Sequence, residues 1–143
     1  MLKDEGGTFL KVLVVCSGNA FRSPVAEALL KKMKPDLEVD SAGTNIVVAP
    51  AIAESAKKYV TDEKADQYLK QTPEGVDEKV LKKYDLIIVM TQEHKDVILR
   101  KCAECKNKIV VWNIADPYFL PREYSEKIFE QIKSKVIETA RSL

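Results

Sequence analysis

Residues 11–34 read "KVLVVCSGNAFRSPVAEALLKKMK", and how this stretch divides decides the class of fold. Its first six residues, "KVLVVC", are a nearly continuous apolar run, as expected of a strand buried on both faces. Its last twelve, "SPVAEALLKKMK", have helical periodicity: Val25, Ala26, Leu29, Leu30 and Met33 share a face, and lysines fill the final turn. Between them Cys16 and Arg22 flank a Gly-Asn turn, and Ser23 and Pro24 suit the N-cap and first position of the helix.

The same alternation runs through the rest of the chain. "LEVDSAG" (37–43), "DLIIVM" (85–90) and "KIVVWN" (108–113) read as further strands. Helices are expected over 50–60, with Pro50 in the first turn, over 93–102, and from Arg122 to Arg141. Ile128, Phe129, Ile132, Val136 and Ala140 form the apolar stripe of the last one. The charged stretch 61–84 should hold one or two short helices, around 64–70 and 77–83. Strands rich in Val and Ile that alternate with helices predict an α/β fold with a four-stranded parallel sheet, doubly wound. In such sheets ligands bind at the carboxyl ends of the strands, near the point where strand order reverses. Cys16 ends the first strand and belongs at that edge.

The chain has 143 residues, enough for one domain with a full core. Twenty-three basic against 22 acidic side chains give a net charge of +1, which offers no case for nucleic acid or an anionic membrane surface. The N-terminal "MLKDEGGTFL" does not resemble a signal peptide, and no run is long enough to span a bilayer, so a cytoplasmic protein is expected. Three cysteines in such a chain are expected to be reduced thiols rather than a disulfide framework.

The opening loop can hold an anion. Gly18 permits backbone angles closed to other residues, and Asn19 tolerates a left-handed conformation, so successive N–H groups can turn inward as a nest. The loop then enters a helix N-terminus, which also favours an anion. A cysteine there is stabilised as thiolate, with the Ser23 hydroxyl as a further donor. Arg22 can grip two oxygens of a tetrahedral oxyanion with its planar fork. Nucleophile, amide cradle and cation around one small volume point to phosphoryl transfer.

Expulsion of an alkoxide or phenolate needs a general acid. Asp116 follows the fourth strand, so the topology carries it to the edge where Cys16 lies, and Pro117 stiffens its loop. Tyr118 and Phe119 could wall the site for an aryl substrate. His94, between Glu93 and Lys95, reads as a solvated surface residue.

With "VCSGNAFRSPVAEAL", "SAGT" (41–44), "YDLIIVM" (84–90) and "DPYF" (116–119), the chain resembles low-molecular-weight protein tyrosine phosphatases over nearly its whole length. The resemblance implies a flavodoxin-like fold, a two-step mechanism with a phosphocysteine intermediate, and no metal or other cofactor. It implies that Cys16 is the nucleophile, that Arg22 binds the phosphoryl group and that Asp116 is the general acid and then base. Ser17, Gly18, Asn19, Ala20, Phe21 and Ser23 would form the binding loop, with Tyr118 beside the substrate. Residues 1–10 would be a flexible extension and 11–143 a single phosphatase domain. The expected partners are a phosphotyrosine protein or small aryl phosphate, with no nucleic acid or membrane, and the enzyme is expected to be a monomer.

The chain departs from the family pattern in three places. Phe21 stands where the loop usually has a second cysteine, "NIVVAP" (45–50) lacks the usual aromatic residue, and residues 61–75 contain no histidine to support Asn19. Cys102 and Cys105 supply only half of a zinc site; they read as simple thiols, or as a reversible disulfide if they approach. Thioredoxin-coupled arsenate reductases are the first alternative, but their relay cysteines directly follow the third strand, where this chain reads "VMTQEHK". A phosphocysteine carrier or phosphate-binding module is the second, and neither would need Asp116.

Overall fold

The computed structural model describes residues 10–48, 51–117, 121 and 123–143, with the backbone alone for residue 48. Strands β1 (Lys11–Cys16), β2 (Glu38–Gly43), β3 (Leu86–Val89) and β4 (Ile109–Val111) form one parallel sheet in the order β2-β1-β3-β4. The order reverses at β1, and Cys16 is its last residue.

Strand alternation divides the core in two. Val12, Val14, Ile88 and Met90 pack with α1 (Arg22–Met33), α2 (Glu54–Asp62) and α4 (Tyr124–Ser142) on one face. Leu13, Val15, Ile87 and Val89 pack with Ile98 of α3 (Gln92–Lys101) on the other. The α4 stripe is as read: Ile128, Phe129, Ile132 and Val136 are buried, with Ala140 packed against them. Tyr59 of α2 joins these helices, stacking on Phe129 with ring centroids 4.6 Å apart and meeting the edge of Phe21 at 6.0 Å.

Several expectations need correction. Met33, the last residue of α1, is 39% exposed rather than part of the buried face. The helix expected from Pro50 begins at Glu54: Ala53 is extended, and its N–H donates to the Ala20 carbonyl at 3.0 Å. Residues 61–84 hold three short 3-10 turns, 66–68, 76–78 and 81–83, in place of α-helices. This segment is tied to β2, where Gly75 bridges Gly43, the Gly43 N–H donates to the Glu74 carbonyl and Lys79 pairs with Asp40. Cys102 and Cys105 are joined in a disulfide with Cα atoms 5.4 Å apart, so they are not simple thiols. A 3-10 turn from Ala103 folds Cys105 beneath the end of α3. Pro50, Tyr118, Phe119, Arg122 and nearly all of the 1–10 extension lie outside the described residues.

Candidate active site

The loop after β1 is held from behind by residues distant in sequence. Asn19 adopts a φ of 53°, the left-handed conformation its residue type tolerates, and is fully buried. Its Nδ2 donates to Ser23 Oγ at 2.8 Å and Ser41 Oγ at 3.0 Å; its Oδ1 accepts from Lys70 Nζ and the Glu74 N–H, each at 2.8 Å. Every hydrogen-bonding position of the amide is thereby used. Ser41 in turn donates to Glu27, itself buried and paired with Lys31.

Ser23 also reaches the cysteine. Its Oγ accepts from Asn19 and lies 3.0 Å from Cys16 Sγ, so its proton is free to turn to the sulfur when Cys16 is a thiolate. The Asn19 N–H also points at the sulfur, at 3.3 Å. Both groups can donate to the sulfur, the arrangement a thiolate nucleophile would use. Ser23 is therefore not the N-cap: α1 begins at Arg22 with Phe21 as its cap, which turns the serine hydroxyl inward. The Phe21 ring likewise leaves the loop for the core, against Tyr59.

Arg22 is 3% exposed. Its Nη1 donates to the Ile114 carbonyl at 2.9 Å, and its Nη2 lies 3.4 Å from both Ser17 Oγ and Asp116 Oδ2. The loop after β4 thus anchors the guanidinium through one residue and presents a carboxylate to it through another. Asp116, predicted from strand order alone, arrives beside Arg22 as expected. Ser17, Gly18 and Ala20 are only partly buried and form the open side of the loop. Tyr118 lies outside the described residues.

Two residues at the site escaped the sequence reading. His94 is 3% exposed, not a surface residue; its Nε2 lies 2.9 Å from Ser17 Oγ and its Nδ1 accepts the Thr91 N–H at 3.1 Å. Burial and the nearby Arg22 push its pKa down to about 4, against a smaller opposing pull from Asp116. Its spacing of four from buried Ile98 was the available signal, which its charged neighbours concealed. Lys70 replaces the absent histidine behind Asn19; nothing in its highly charged surroundings marks it out.

A sheet that reverses at the strand carrying a donor-wrapped cysteine, beside a buried arginine and a carboxylate, defines a flavodoxin-like protein with a cysteine-phosphatase loop. The family model for low molecular weight phosphotyrosine protein phosphatase matches residues 11–143, and the chain belongs to that family of hydrolases. It is 30% identical over 142 residues to the low molecular weight protein-tyrosine-phosphatase Wzb of Salmonella typhi, covering 94% of this chain and 95% of that one. A Vibrio vulnificus Wzb structure in complex with benzylphosphonate superposes with a TM-score of 0.83 at 25% identity, over 94% of this chain and 99% of that one. The Erwinia amylovora tyrosine phosphatase AmsI gives 0.80 at 27% identity, covering 100% and 99%. The arsenate-reductase alternative loses its relay. The disulfide closes the end of α3 opposite His94, eight residues or about 12 Å along the helix from it.

Proposed function

We propose that the chain hydrolyses aryl phosphomonoesters, protein phosphotyrosine foremost, through a phosphocysteine on Cys16. The observation that carries the reading is the Asn19 N–H and the Ser23 hydroxyl at Cys16 Sγ beside the Arg22–Asp116 pair. Arg22 and the loop amides of Ser17 to Ser23 bind the phosphoryl oxygens; Phe21 contributes through its backbone, since its ring is in the core. The sulfur attacks phosphorus, an S–P bond forms and the P–O bond to the leaving group breaks. Asp116 gives its proton to the departing oxygen. Water then attacks phosphorus while Asp116 takes its proton; the S–P bond breaks, releasing inorganic phosphate and the thiolate, which the Ser23 hydroxyl receives. Tyr118 beside the substrate follows from sequence position. The aryl preference draws support from the naming of the relatives as tyrosine phosphatases and from the benzylphosphonate bound to one of them. A monomer in the cytoplasm completes the proposal; among the described residues no helix is long and apolar enough to cross a membrane.

Hydrolysis of p-nitrophenyl phosphate in EDTA tests the mechanism. Cys16→Ser is expected to abolish turnover, and Asp116→Asn to lower kcat at least about a hundredfold. Turnover by Cys16→Ser at the wild-type rate sinks the phosphocysteine, and an unaffected Asp116→Asn favours a carrier.

A further inference from the structure

Hydrogen-bond directions around His94 lead further into the site. Because Nδ1 accepts the Thr91 N–H, with Thr91 Oγ1 also 3.1 Å away, the ring proton of the neutral imidazole is on Nε2. Nε2–H then donates to Ser17 Oγ at 2.9 Å. The same oxygen lies 3.4 Å from Arg22 Nη2, a donor with no acceptor capacity. With both lone pairs of Ser17 Oγ facing donors, its own proton must point elsewhere. Ser17 is on the open side of the loop, where an oxyanion gripped by Arg22 is the acceptor to come.

We propose that His94 is a positioning residue for Arg22 and Ser17: it holds the serine hydroxyl so that the oxygen steadies the guanidinium and the proton turns to the bound phosphate. This rests on the loop being the phosphate site, as argued above. The depressed basicity of His94 fits the role, keeping one tautomer in use across weakly acidic and neutral pH. Its backbone belongs to the first turn of α3, which makes the strut rigid. A doubly protonated ring would confront the Thr91 N–H with a second donor and lose this anchorage.

The test is a double-mutant cycle of His94→Phe and Ser17→Ala, with His94→Gln as the conservative variant, whose amide can still donate towards Ser17. The readouts at pH 6 are kcat and KM on p-nitrophenyl phosphate and the affinity for inorganic phosphate by calorimetry, which does not need turnover. Each single variant should lose phosphate affinity and kcat/KM by about tenfold, equivalent to about 1.4 kcal/mol. The double variant should be no worse than either single one, and His94→Gln should recover most of the loss. Additive losses, wild-type phosphate affinity in His94→Phe, or a glutamine no better than phenylalanine would each overturn the proposal. If the phenylalanine variant does not fold, the cycle of Ser17→Ala with His94→Gln decides: the glutamine must weaken phosphate binding no further once Ser17 is gone. Cys16→Ser tests the site independently, so an inactive Cys16→Ser with an additive cycle rejects only the role of His94.

Discussion

At the scale of single residues, the site shows polar groups recruited to specify direction. Ser23 Oγ accepts from Asn19 with one lone pair, which leaves its proton free for an anionic Cys16. Asn19 is fixed in turn by Lys70 and the Glu74 N–H, which tie the loop to a segment more than 50 residues away. His94 has a cost that can be measured. Its pKa is about 4 when folded against 6.5 when free, so below pH 6.5 the unfolded chain binds the extra proton. Its contribution to stability is therefore complete above 6.5 and is lost as pH falls towards 4. Urea unfolding at pH 7 and pH 4.5 should show wild type losing about 2 kcal/mol more than His94→Gln. Asp40 and Glu74, both held below their ordinary pKa, lose stability at lower pH in both proteins and cancel in the comparison. Parallel losses would mean that His94 titrates normally.

At the scale of elements, β2 supports the loop by being close to it. Gly43 pairs with Cys16 at the end of the ladder, and Asn45 N–H holds the Ser17 carbonyl at 2.9 Å. A Cβ on Gly43 would stand 2.4 Å from that carbonyl oxygen and 3.0 Å from the Asn19 nitrogen, so backbone would have to move. Gly43→Ala should lower kcat/KM by more than tenfold and stability by about 1–3 kcal/mol. Wild-type kinetics in that variant would show that the loop tolerates displacement. The sequence located α1, α3, α4 and all four strands, the inner strands as short continuous apolar runs and α4 by its apolar stripe. It failed where tertiary contacts rule: Ala53 is extended to reach Ala20, and 61–84 follows the edge of β2 in three-residue turns. Ser23 comes to the site but not as the cap, since α1 starts two residues earlier than its Ser-Pro signal and its hydroxyl lies against the Cys16 sulfur.

At the scale of the molecule, one sheet separates two cores, and function and reinforcement are at opposite ends of α3. The doubly wound fold was legible because apolar strands alternating with helices admit few topologies, and that topology brought Asp116 to Arg22. The Cys102–Cys105 bond was not, because two thiols three residues apart pair only if the chain between them turns tightly. Both cysteines are in the smaller core, with Leu13, Val15 and Ile98, at the other end of α3 from His94. Closing so short a ring restricts the unfolded chain by about 2 kcal/mol in the chain-entropy account. Reduction should thus lower Tm by roughly 6 °C while leaving kcat/KM within about twofold at 25 °C. The control is Cys16, the sole free cysteine, which a phosphine reductant leaves in its working state. A rate that falls in step with reduction would mean that the far end of α3 is coupled to its first turn, where His94 meets Ser17. An unchanged Tm would mean that the turn, rather than the bond, holds the end of the helix.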